Sequence, residues 1–82
     1  MKYTIRQAEY VAFIYYYTKI HRRAPAEHEM MHYFMVSPPS VHQMILNLEK
    51  NGFISRVAGQ ARSIRIVVSE DELAELKKIA DF

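Results

Sequence analysis

The segment Ser37-Pro38-Pro39-Ser40-Val41-His42-Gln43-Met44-Ile45-Leu46-Asn47-Leu48-Glu49-Lys50-Asn51-Gly52 constrains this chain more than any other, because it encodes a start, a stop and two distinct faces. A serine hydroxyl accepts a backbone N–H at a helix start. Pro38 follows at the first helical position, where a missing N–H removes no bond inside the helix. Val41, Met44, Ile45 and Leu48 recur at three- and four-residue spacing and predict one inward stripe. Pro39, Ser40, His42, Gln43, Asn47 and Lys50 fall opposite, with Leu46 among them as an apolar residue on a polar side. Asn51-Gly52 supplies the stop, since glycine takes the left-handed conformation at a helix end without a steric cost. The spacing predicts a helix over 37–50 that buries one side and leaves a polar side open.

The flanking sequence supplies elements to pack against it. Thr4-Ile5-Arg6-Gln7 is a capping box, and Tyr10, Val11, Phe13, Ile14, Tyr17 and Thr18 continue as a helical stripe ending near Ile20, before His21-Arg22-Arg23. That stripe cannot absorb every ring of Phe13-Ile14-Tyr15-Tyr16-Tyr17, so Tyr15 or Tyr16 is expected to stay partly exposed or to pack on a further element such as a partner helix. Ala24-Pro25-Ala26 reads as an extended link, followed by a second helix over Glu27–Phe34, with Met30, Met31 and Phe34 inward, and by a turn at Met35-Val36. Residues 53–57 and 63–68 alternate apolar and polar around Ala58-Gly59-Gln60-Ala61-Arg62, a loop of hairpin length. Ser69-Glu70-Asp71-Glu72 is another capping box, opening a fourth helix with Leu73, Leu76 and Ile79 over 69–82. The expected architecture is mainly α with a small β-hairpin. It comprises a three-helix core, a two-stranded wing and an extra C-terminal helix, forming one domain over 1–82 with its core over 3–68. This is a winged helix-turn-helix.

Composition bounds the function. Eighty-two residues, half of them hydrophobic, approach the lower limit for a core without staples. The lack of cysteine excludes disulfides, thiolate zinc sites and cysteine nucleophiles, and fits a cytoplasmic setting. The apolar run from Tyr10 to Tyr17 is too short to span a bilayer, so no membrane role is expected. Residues 1–68 carry nine Lys or Arg against four acids, while residues 69–82 carry two against five. A basic body with a separate acidic end suits an anionic partner on one face.

A helix with a free polar side matches the major groove of duplex DNA, where residues at its N-terminal end meet base edges first. Here these are Ser37, Pro39, Ser40, His42 and Gln43, with Asn47 and Lys50 farther along. Gln43 is the strongest reader, since its amide can pair bidentately with adenine. Gln60 and Arg62 sit at the wing tip and Arg65 on the return strand between Ile64 and Ile66, placed for the minor groove or backbone phosphates. Arg6, Arg22, Arg23 and Arg56 are further candidates for phosphate contacts.

Other chemistry finds little support. His28 and His32 have metal-chelating spacing, and Glu29, His21 or His42 could in principle complete a site, but the pair by itself reads as polar surface. No metal or cofactor is expected. The methionines read as core filler. The serines lack a base at fixed spacing and no phosphate loop exists, so no enzyme activity is expected. The histidines are expected to raise DNA affinity as pH falls through about 6.5. The surplus tyrosines and the apolar side of the last helix point to a homodimer through helices one and four, which would set two reading helices about one DNA turn apart. The rival reading is a winged-helix protein-interaction module, favoured by the outward Leu46. A single-strand or RNA binder would require exposed aromatics that the wing lacks, Phe53 standing at its root.

Thr4-Ile5-Arg6-Gln7-Ala8-Glu9, the Ser37-Pro38 helix start, Leu48-Glu49-Lys50-Asn51-Gly52-Phe53-Ile54 and Arg62-Ser63-Ile64-Arg65 together resemble the N-terminal DNA-binding domain of LexA-type repressors over about residues 3–68. The Ser-Pro-Pro-Ser-Val stretch is also similar to MarR-like and iron-dependent winged-helix repressors. The resemblance implies a transcriptional regulator, in the family a repressor, whose third helix reads its operator through Ser37, Pro39, Ser40, His42 and Gln43. Three departures stand out: Ala26 where the family has a threonine cap, Met35 where it has a glycine turn, and His42 with Gln43 where it often carries acids. The family's Ser/Lys peptidase domain has no counterpart in these residues, so self-cleavage and the family's usual dimerisation are not expected of them.

Overall fold

The computed structural model describes residues 3–81. Met1, Lys2 and Phe82, at the ends of the expected domain and last helix, lie outside the described residues. Helix α1 (Ile5–His21) starts on the expected box: the Thr4 hydroxyl accepts the Gln7 N–H at 3.0 Å, and Gln7 Oε1 accepts the Thr4 N–H at 2.9 Å. Helix α2 (Glu27–Phe34) has half of one. Glu29 Oε1 accepts the Ala26 N–H at 2.7 Å, but the alanine methyl cannot return the bond. Ser37 caps α3 (Pro38–Lys50) through the Ser40 N–H at 3.3 Å. The end of α3 is closed by the N–H of Gly52 on the Glu49 carbonyl at 3.1 Å and that of Phe53 on the Leu48 carbonyl at 2.9 Å. These two bonds form a Schellman motif, with Gly52 at φ +79°. Ser69 and Glu72 cap each other at the start of α4 (Glu70–Ala80).

The core draws on every helix. Val11 and Ile14 of α1, Met30 of α2, Val41, Ile45 and Leu48 of α3 and Leu76 of α4 are fully buried. Each such side chain contributes about 1.5–3 kcal/mol of transfer free energy. Ala8 and Ala12 belong to the buried side of α1, although the aromatic pattern drew the expected stripe elsewhere. Thr18 and Ile20, expected to be buried, are exposed, Ile20 by 73%. For Thr18 the reason lies in the hairpin, which stops short of it and leaves a groove lined by Ile14, Thr18, Lys19 and Ile66.

Strands β1 (Ile54–Ser55) and β2 (Arg65–Ile66) pair antiparallel, Ile54 opposite Ile66 and Ser55 opposite Arg65. The strands expected over 53–57 and 63–68 are therefore longer than the ladder that forms. The Ser63 hydroxyl takes over the backbone of Val57, accepting its N–H at 2.9 Å and lying 3.1 Å from its carbonyl. Arg62 adopts φ +56°, which no strand accommodates.

Helix α4 packs along α1. Leu73, Leu76 and Ile79 face the core, the Tyr3 hydroxyl donates to Glu72 at 2.9 Å, and Lys77 Nζ sits 4.3 Å from the Tyr15 ring centre and 5.7 Å from that of Tyr16. The surplus tyrosines are thus met by the chain's own last helix. The apolar side of that helix, which the sequence offered to a second copy, is used within the chain. The architecture is the expected winged helix, and among the described residues no helix is long and apolar enough to cross a membrane.

Candidate nucleic-acid interface

The polar side of α3 stands uncovered. Ser37, Pro39, Ser40, His42, Gln43, Asn47 and Lys50 are all exposed. Pro39, Ser40, Gln43, Met44 and Asn47 line a shallow open depression of 560 Å³ along this side. Ser37 and Ser40 are tied to each other, Oγ to Oγ at 3.0 Å, so the cap that starts the helix also fixes the two hydroxyls at its tip. Leu46 is exposed, by 37%, as its outward position on the helix predicts. No side-chain hydrogen bond holds Gln43 or Lys50 among the described contacts, which leaves the strongest expected reader available.

Two residues of this side are held from behind. Nδ1 of His42 lies 3.3 Å from both carboxylate oxygens of Glu27 on α2. Gln7, only 8% exposed, donates from Nε2 to Asn47 Oδ1 at 2.7 Å, while its own Oε1 is occupied by the Thr4 cap. The sequence exposed only one half of this second link. The capping box used one end of the Gln7 amide, and a buried amide whose other end needs an acceptor was the available signal for a long-range partner.

The wing is anchored where it was expected to reach outward. Nη1 of Arg62 donates to Glu29 Oε1 at 2.8 Å and to the Ala24 carbonyl at 3.1 Å, and lies 3.4 Å from the Tyr17 hydroxyl. The Tyr17 hydroxyl in turn donates to the second oxygen of Glu29. The side chains of Arg62 and Glu29 are 28% and 22% exposed, so this is a partly sheltered cluster joining α1, α2 and the wing. Burial opposes the charge on Glu29, but the hydrogen bonds from Tyr17, the Ala26 N–H and Arg62, together with the charge of Arg62, outweigh it. They lower the pKa from 4.5 to about 2. Tyr17 and Glu29 were missed as partners because their spacing to Arg62 is set by the fold and leaves no local pattern.

Gln60 is exposed at the wing tip beside Gly59. It shares with His42, His28 and Arg56 the wall of a 430 Å³ groove between the wing and the α2–α3 pair. Arg56 is paired with Glu49 at 3.2 Å. Arg65 is exposed on the other side of the hairpin, lining the groove next to Tyr15 and Lys19 of α1. Arg6 pairs with Glu9 at 3.2 Å and lies 4.8 Å from the ring centre of Phe34. Arg22 and Arg23 are exposed in the link after α1. The structure therefore gathers Ser37, Pro39, Ser40, His42, Gln43, Asn47 and Lys50 on one helix side with Gln60 across a groove. Arg62 points inward, and Arg6 and Arg65 lie on other surfaces. His28 and His32 gain no third ligand, since among the described residues no three His, Cys, Asp or Glu side chains come together.

A comparison with protein families matches residues 1–63 to the LexA DNA binding domain. No curated protein matches the chain.

Proposed function

This chain belongs to the LexA DNA-binding domain family and is on that account a DNA-binding transcription regulator; from this premise we propose that it is a sequence-specific repressor that lays α3 in the major groove of duplex DNA. The observation that carries the reading is the uncovered polar side of α3, with Ser40, Gln43 and Asn47 aligned along one depression. Ser37, Pro39, Ser40 and His42 form the leading end that meets base edges or a phosphate first. Lys50 and the wing residue Gln60 contact the backbone beside them, while Arg6 and Arg65, on other surfaces, take no part in this contact. Arg62 supports this arrangement by fixing the wing to α1 and α2 through Glu29 and Tyr17.

Two copies paired through the outer sides of α1 and α4 would present two α3 helices about one DNA turn apart, on an inverted repeat. The outer side of α4 carries three acids, Glu70, Asp71 and Glu75, against Lys78, so such pairing has to set α4 against cations of the other copy's α1, such as Lys19, rather than against its own like, and weakens with salt. Sedimentation at micromolar concentration in low and high salt reads it directly.

Selection of bound fragments from random duplexes at a stated salt concentration tests the main reading. A defined motif whose affinity falls steeply with salt is expected. Gln43→Ala should relax the preference at one position and cost about tenfold on the selected duplex. Enrichment of no duplex, or binding indifferent to salt, would replace DNA with a protein partner.

A further inference from the structure

We infer that Gln7 is a positioning residue that sets the direction of the Asn47 side-chain amide, holding Oδ1 toward α1 and leaving the Nδ2 donor as the end that Asn47 offers DNA. The inference rests on α3 reading duplex DNA.

The backbone N–H of Thr4 can only donate, and it donates to Gln7 at 2.9 Å, so the atom facing it is the amide oxygen Oε1. The other end of the same amide, Nε2, must then point the opposite way, and it lies 2.7 Å from Asn47. An NH₂ group can only donate, so the Asn47 atom facing it is Oδ1. The remaining end of Asn47 is Nδ2, on an exposed side chain that lines the depression beside Ser40 and Gln43. A cap at the start of α1 thereby determines the polarity of a group on the reading side of α3, forty residues away. Gln7 is itself only 8% exposed, which shelters the relay from competing water.

The consequence concerns specificity. A free asparagine amide pairs with adenine by donating and accepting at once. With Oδ1 held on Gln7, one of its two lone pairs is taken and the amide is no longer free to turn its oxygen onto a base, which disfavours that two-bond contact and acceptance from the amino group of cytosine. Asn47 selects base-edge acceptors instead, the O6 and N7 of guanine or the O4 of thymine.

Gln7→Glu reverses the relay without removing it. A glutamate at this position still caps Thr4, as capping boxes commonly do, but its second oxygen accepts, so Asn47 must turn and donate inward. The base preference of the wild-type chain, Gln7→Glu, Asn47→Ala and the double variant can be compared by selection from random duplexes. The expected result is that Gln7→Glu changes the preferred base at one motif position, from guanine or thymine to cytosine or adenine, and costs about tenfold on the original duplex. Asn47→Ala should erase the preference at that same position and make Gln7→Glu silent there. Uniform weakening by Gln7→Glu on all duplexes, with no change in preference, would reduce its effect to added negative charge and overturn the inference. Side-chain amide exchange in the free protein gives a second reading. Slow exchange is expected for the Gln7 amide in the wild type and for the Asn47 amide in Gln7→Glu. Rapid exchange of both in both proteins would also overturn it. A chain that selects no sequence yet shows this transfer of protection would leave the relay standing and remove the DNA reading of α3 instead.

Discussion

Helix α3 and the wing sit side by side on the same surface but are held by different kinds of information. The helix is specified locally, by the Ser37 cap, Pro38, the stripe of Val41, Ile45 and Leu48 and the glycine stop, all within 37–52. The wing has strands of only two residues each, and its loop is tied down by Arg62 reaching Glu29 across thirty-three residues. A reading helix built in this way has its ends and its faces set by its own residues, while packing of the buried stripe supplies its stability. A wing built in this way draws part of its anchorage from one charged carboxylate, beside the buried Ile54 and Ile64 and the pair of Arg56 with Glu49.

The strongest way to break the pairing of these two regions is Glu29→Ala. It removes the acceptor of Arg62 and Tyr17 at once and leaves the Ala26 N–H without its partner. A loss of about 2 kcal/mol is expected, below the figure for a fully buried pair because both side chains keep some solvent contact. Amide exchange should quicken around Ser63 and Ile64 while the amides of α3 from Val41 to Leu48 change only with global stability. Equal loosening of α3 and wing would show that they form one cooperative unit.

Acid should produce the same separation reversibly. The Glu29 pKa is lowered from 4.5 to about 2 on folding, so the unfolded chain binds the proton more readily. The stabilisation is fully present above the unfolded value and is lost as pH falls from about 4.5 toward 2. Urea titrations across that window should show a declining midpoint in the wild type and a flatter profile in Glu29→Gln. Parallel profiles would mean that other carboxylates govern the acid response.

The same contrast explains what could be read from the sequence. Caps, stripes and stops are local signals, and α2 and α3 lie where those signals put them, as do the fold class and the polar side of α3. Burial on α1 differs from the expectation at Thr18 because coverage depends on how far a neighbouring hairpin extends, a quantity that side-chain spacing does not contain. Arg62 looked like an outward cation for a related reason. An arginine at a loop tip carries no local mark of whether a glutamate will meet it, whereas Gln43, with no such partner, stays where helical spacing places it. The Gln7 to Asn47 link falls between these cases, since the cap is local and only its far end is tertiary.

The smallest effects test the local half of the comparison at the two ends of the turn before and after α3. Gly52 and Met35 both occupy left-handed backbone, at φ +79° and φ +55°. A Cβ at Gly52 would meet nothing within 4 Å, so Gly52→Ala carries conformational strain alone, about 1 kcal/mol. Met35 already bears that strain. Its side chain is 90% exposed, so replacing it removes almost no packing. Met35→Gly should therefore stabilise the protein, by about 0.5 kcal/mol once the added freedom of glycine in the unfolded chain is subtracted. The two substitutions should shift the denaturation midpoint in opposite directions at nearly constant m-value, with DNA affinity unchanged by Met35→Gly. If Met35→Gly instead destabilises, the methionine contributes a contact that its exposure does not reveal, and the turn into α3 is held by more than backbone geometry.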